Sequence, residues 1–183
     1  PAPPADTGCV GARRRGRQAT VNRLDISVDG LAVRNDAGAE LCEMEFIQFH
    51  PTGMVWPQSV RGILVTEGVR GEGGILTNKE GRRFMFDDIP ENYRTHSADS
   101  PEEGWRDCQG DKTARRPPEL LSRDHVARCI VREIKEGRGS PHGGVFLDIA
   151  WIKSKLSNGA EHIKKKLPSM YHQFKQLADI DIT

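Results

Sequence analysis

What the chain lacks narrows it first. Its four cysteines, Cys9, Cys42, Cys108 and Cys129, lie far apart, with no CxxC pair and no histidine at zinc-finger spacing from a Cys pair. That pattern reads as free thiols in a reducing compartment, with no metal ligands and no disulfide frame. No apolar run approaches the roughly 20 residues that span a bilayer. The sequence starts on Pro1 without an apolar h-region, so no secretory signal is expected. No GxGxxG occurs either. Gly71, Gly73 and Gly74 come near it but lack the final spacing, and no cofactor-binding residue is assigned. Neither sign of charge is in excess, with 27 Lys and Arg against 26 Asp and Glu, which argues against a nucleic-acid binder.

What is present is a chain of 183 residues, long enough for one domain with a real core. Its hydrophobic share, 36%, is low enough to expect disordered or partner-dependent segments. Residues 1–28 are rich in Pro, Gly and Arg and read as a low-complexity, disordered leader. The run Ala12–Arg17 could touch phosphates or simply be solvated.

The stretch Glu45–Gly74 organises the rest. Met44 to Phe49 alternates as a short strand, which Pro51 and Gly53 should end. Ile63 to Thr66 reads as a second strand. Gly74–Thr77, a polar turn and Arg82–Phe86 read as a hairpin. Leu31–Leu41 is a weak helix candidate, and Asp87–Pro118 reads as a long loop.

Ser122–Glu136 is the clearest helix. Val126, Ala127, Ile130, Val131 and Ile134 form its apolar stripe, Ser122 its N-cap and Gly137 its C′ residue. Gly143–Ile149 follows as a strand. Ala160–Leu167 reads as a short basic helix stopped near Pro168, and Met170, Phe174 and Leu177 space out a last one. Helices and strands without βαβ alternation make the fold class α+β.

The polar residues of the central stretch suggest an anion site. His50, fixed by Pro51, is either a donor to an anionic ligand or a satisfied turn histidine. Glu67, if buried, needs a cation, and Arg70 lies three residues on. Arg123 opens a helix, where the macrodipole disfavours a cation. Asp124 would offset that, or a bound carboxylate together with Glu67 would.

Four motifs in this order, FIQFHPTGM, LVTEGVRGEGGILTNKEGRRFM, SRDHVARCIVREIKEGRGSPHGGVFLDI and LPSMYHQFK, closely resemble the flavoprotein subunit of succinate dehydrogenase/fumarate reductase. RRPPELLSRD and SPHGGVFLD resemble its actinobacterial kind. L-Aspartate oxidase shares the outline but less of the wording. The resemblance covers Asp29–Thr183 and is strongest over Glu43–Arg83 and Pro117–Asp148.

It implies a small capping domain over residues 45–168, which closes on an FAD-binding domain and traps a dicarboxylate. Residues 29–44 would be a stub of the FAD-binding domain, and residues 169–183 a helix leading back to it. His50, Thr66 and Glu67 would contact the carboxylates of succinate or fumarate. Arg123 would give and take the proton while hydride passes between the flavin and the C2–C3 bond. Glu67 and Arg70 would relay that proton. A guanidinium with a pKa above ~12 is a poor acid, so the transfer has to be concerted with Glu67.

The resemblance further implies FAD as cofactor, a membrane anchor and an iron–sulfur subunit as partners, and a place at the inner face of the cell membrane. Pro1–Ser27 matches neither the family's Rossmann-type glycine motif nor its flavin-linking histidine. The chain also stops before the family's HxMGG region. It is therefore expected to be a fragment truncated at both ends and inactive alone. Other readings of the same residues are a non-catalytic cap-like module and a basic-tailed interaction protein.

Overall fold

A computed structural model describes residues 8–14, Gly38 and residues 49–183. The expected helix Leu31–Leu41, Gly38 aside, and residues 44–48 of the expected first strand lie outside the described residues.

Four strands form one sheet: β1 (Gly8–Arg14), β2 (Phe49–Trp56), β3 (Ile75–Thr77) and β4 (Val145–Asp148). Their order is β2-β1-β4-β3, and every neighbouring pair is antiparallel. β1 falls inside the segment read as a disordered leader. There Gly8–Arg14 pairs with β2 on one side and β4 on the other. Arg13 and Arg14 are thus strand residues rather than part of a free basic tail.

β2 runs straight through Pro51 and Gly53, which were expected to end it. The register slips between Gly11 and Arg13, so the missing N–H of Pro51 falls at an irregularity of the β1 ladder. On its other flank β2 is met by Gly62–Val65. Met54 N donates to Ile63 O (2.8 Å), Gly62 N to Met54 O (2.9 Å) and Val65 N to Thr52 O (2.8 Å). The expected strand Ile63–Thr66 is therefore a bridge at Leu64 rather than an element of its own.

Among the described residues the α-helices are α1 (Glu67–Gly71), α2 (Pro101–Cys108), α3 (Arg123–Lys135), α4 (Gly159–Lys166) and α5 (Pro168–Ala178). The last three fall where periodicity and punctuation put them. Gly137, φ 73°, ends α3 in the left-handed region that a side chain resists. Val126 and Ile130 of α3 are fully buried, each worth about 1.5–3 kcal/mol of apolar burial. Val131 departs from the expected stripe and is exposed, while His125, Cys129 and Glu133 turn inward. α3 packs across β1 and β2. The core it closes includes Met54, Val65, Leu76, Val145, Leu147 and Ile152.

Two further expectations fail. β3 pairs with β4, Ile75 opposite Asp148 and Thr77 opposite Phe146, instead of folding back on Arg82–Phe86. The polar turn is real: Asn78 Oδ1 accepts from Glu80 N and Arg82 N, both at 3.0 Å. Phe84–Asp87 after it is a 3-10 turn that buries Phe84 and Met85, so its apolar residues serve the core without a ladder.

The expected loop Asp87–Pro118 contains α2. Ser100 caps it by accepting from Glu103 N (3.2 Å), and Pro101 stands at its start. The rest of that segment is pinned by Arg115. It donates to Asp99 (2.5 Å) and to both oxygens of Glu103 (2.9 Å each).

Candidate functional site

The β2 flank brings the two halves of the central stretch together. Thr52 is fully buried, and its hydroxyl donates to Val65 O (2.9 Å). That bond fixes the residue just before Thr66 against the strand that carries His50. His50 is buried, and its Nδ1 accepts from Thr52 N at 3.4 Å. In the neutral ring the N–H therefore sits on Nε2.

Thr66 is the N-cap of α1, its hydroxyl oxygen accepting from Gly68 N (3.3 Å). The chain after the Leu64 bridge therefore turns straight into a helix, with Thr66 as its cap and Glu67 as its first residue. Glu67 begins the helix, where a carboxylate suits the macrodipole, and Arg70 lies one turn on.

Arg70 is the largest fully buried side chain among the described residues. One of its terminal nitrogens, Nη1, donates to the carbonyl of Glu119, and Nη2 lies 3.9 Å from Glu67 Oε2. Its Nε and Nη2 have no hydrogen-bond partner among the described residues. Burial, with a smaller contribution from neighbouring Arg123, pushes the Arg70 pKa below its ordinary value, against the pull of Glu67 and Glu119.

Arg123 is the first residue of α3 and is one-third exposed. Its Nε donates to Glu67 Oε2 at 3.3 Å. That contact meets the cation's unfavourable place at a helix start, with Asp124 in the same first turn. Asp124 is itself drawn to Arg128, 2.9 Å away on the next turn. Glu67, Arg70 and Arg123 thus form one connected group, and Thr66 adjoins it in sequence. His50 stands on β2, over which α3 packs.

Sequence reasoning missed Glu119. It is fully buried in a 3-10 turn, Pro118–Leu120, just before α3. Its carboxylate takes a two-pronged bond from Arg83, Nε to Oε1 at 2.6 Å and Nη2 to Oε2 at 2.9 Å. Its carbonyl holds Arg70. The signal available was a lone carboxylate between prolines and leucines, which has to find a cation if it is buried.

The FAD binding domain family matches residues 9–183. One component of the "Fumarate reductase (CoM/CoB)" of Methanothermobacter marburgensis is 44% identical over 155 residues, covering 85% of this chain and 22% of that one. The "Succinate dehydrogenase flavoprotein subunit" of Coxiella burnetii is 34% identical over 175 residues, covering 95% and 24%. Among solved structures, "Mycobacterium smegmatis Sdh1 in complex with UQ1" is 52% identical with a TM-score of 0.54, covering 89% of this chain and 22% of that one. The chain spans about a fifth to a quarter of the length of these relatives.

FAD is the cofactor of that family, and two described glycines, Gly73 and Gly74, are set by close packing. A Cβ on Gly74 would lie 2.7 Å from Val69 O, and one on Gly73 2.9 Å from the Trp105 ring. At both positions a side chain would collide with the protein itself, so packing alone calls for glycine. The family match runs over residues 9–183, and the chain belongs to the FAD binding domain family.

Proposed function

We propose that this chain is the capping part of a flavin-dependent oxidoreductase that interconverts succinate and fumarate, a fragment of a longer flavoprotein. The observation that carries the reading is the row of charges Arg123–Glu67–Arg70, with 3.3 Å and 3.9 Å between its charged atoms. The supporting likeness is to proteins named for succinate dehydrogenase and fumarate reductase.

In this reading Arg123 faces the carbon that gains or loses a proton. As it gives up a proton to that carbon, it takes one from Glu67, so no free neutral guanidine accumulates. Glu67 is 42% exposed and can exchange with water. Arg70, the other member of the proposed relay, lies 3.9 Å from the same carboxylate oxygen on its buried side.

The substrate's carboxylates are gripped by His50 through its Nε2–H and by the Thr66 hydroxyl, which still has its proton to donate while it accepts from Gly68. Glu67 was expected to touch substrate as well. In this reading it aims Arg123 as a carboxylate and, once protonated from water, hands that proton on to Arg123. A membrane anchor and an iron–sulfur subunit are the partners that complete such a complex. None of the described helices is long and apolar enough to cross a membrane, so attachment at the inner face would be through those partners.

The test places Arg123→Lys in the full-length flavoprotein. The expected result is loss of succinate–fumarate turnover with flavin still bound. Near-normal turnover would remove Arg123 from the chemistry. Oxidation of L-aspartate in place of succinate by the unsubstituted protein would reassign it to the aspartate oxidase type.

A further inference from the structure

One cluster on α3 has no part in that reading. His125 and Cys129, one turn apart on the buried face of the helix, meet Asp88 across a gap. Cys129 Sγ is 3.4 Å from His125 Nε2 and 3.9 Å from Asp88 Oδ2, and His125 Nε2 is 2.7 Å from the Asp88 carbonyl oxygen. The ligand atoms of the three side chains all lie within 4.8 Å of one another. Bonds of ~2.0–2.3 Å to zinc at tetrahedral angles put neighbouring donors roughly 3.3–3.8 Å apart, close to this spacing.

We infer that Asp88, His125 and Cys129 form a binding site for a thiophilic divalent cation of the zinc type, which fastens α3 to the segment after Phe84–Asp87. The donor set is one thiolate, one imidazole and one carboxylate, the borderline-soft mixture that suits zinc over magnesium or calcium. The Asp88 carbonyl or a water completes four-coordination.

On binding, the Cys129 thiol gives its proton to solvent. The imidazole shifts its proton from Nε2 to Nδ1 and stays neutral. The aquo ion sheds the displaced waters, and nothing is oxidised or reduced. Entry is open on one side: the Asp88 side chain is 42% exposed, and so is the Arg132 beside it at 45%.

Arg132 is the competitor. Its Nη2 donates to Asp88 Oδ2 at 2.7 Å and to Cys129 Sγ at 3.6 Å. A cation entering the site has to turn that guanidinium out to water, which its exposure allows. Arg132 therefore sets the affinity without being a ligand. The consequence lies two residues from His125, where Arg123 starts the same helix: a metal here would fix the helix end that presents the guanidinium.

The test is a cobalt(II) titration of the full 183-residue chain after chelator treatment. The expected result is a thiolate-to-cobalt charge-transfer band with the intense visible bands of a tetrahedral ion, bleached by one equivalent of zinc. Cys129→Ser should abolish the charge-transfer band, and Asp88→Asn should weaken binding about 10-fold or more. Arg132→Gln, a surface change that leaves all three ligands in place, should tighten cobalt binding. Absence of the band, its persistence in Cys129→Ser, or unchanged affinity in Arg132→Gln would each overturn the inference.

Discussion

Glu67 Oε2 lies 3.3 Å from Arg123 Nε, although the two residues are 56 apart in sequence. One is the first residue of a five-residue helix, the other the first of a thirteen-residue helix. Two helix starts therefore face each other, and the carboxylate at one meets the guanidinium at the other. The contact sets a cation where α3 alone would not favour one. The second cation on Glu67, Arg70, is buried and tied to Glu119.

Removing Arg83 should be far more damaging than its place suggests. It is the partner of the fully buried Glu119 carboxylate, so Arg83→Met should cost about 3–5 kcal/mol by leaving that charge uncompensated. Adding Glu119→Leu should recover much of the loss, since the charge that needed a partner is gone. Urea unfolding of the two singles and the double measures this. Simple additivity would show that the pair is not coupled.

Gly71, which ends α1, and Gly74 beyond it should respond in opposite ways. Gly74→Ala sets a Cβ 2.7 Å from Val69 O and should cost about 1–3 kcal/mol through backbone displacement. Gly71→Ala, with open space around it, should be neutral or stabilise by ~0.5–1 kcal/mol. Equal effects in thermal melts would mean that this turn is not packed as described.

Acid should loosen the segment around α2 before the rest. Hydrogen bonds from Arg115, and then from Asp99 N, hold the Glu103 carboxyl down at about 2, against 4.5 for a free group. A lowered folded-state pKa stabilises above the unfolded value, and that stabilisation fades as pH falls from 4.5 towards 2. Protection of the α2 amides, taken relative to the intrinsic exchange rate at each pH, should fall over that window in the native chain and not in Glu103→Gln, which lacks the titrating group. Protection that stays constant across the window in the native chain would contradict this.

The sequence was most readable where one physical signal dominated. α3, α4 and α5 have regular apolar spacing and clear stops at Gly137 and Pro168, and they fold where that spacing puts them. α2 has little apolar content, and its whole case rested on Ser100-Pro101-Glu102-Glu103, a capping signal within a charged stretch.

Strand partners were less legible. The apolar pattern of Ile75–Thr77 says that it is a strand but not that Val145–Asp148, about 70 residues on, is its neighbour. At the candidate site, Glu67, Arg70 and Arg123 could be named because each raises a charge problem that another solves. Glu119 solves a problem too, but for Arg83 and through its backbone for Arg70, and no spacing rule announces a carbonyl.

Proton handling is tested most directly by Glu67→Gln in the full-length flavoprotein. The side chain keeps its shape and a bond to Arg123 but cannot take up and release a proton. Steady-state kinetics with succinate should show kcat reduced by about 10²-fold or more with KM little changed, as expected when a proton carrier is lost. An unchanged kcat, with or without a shift in KM, would mean that Glu67 only shapes the pocket and that the proton leaves by another route.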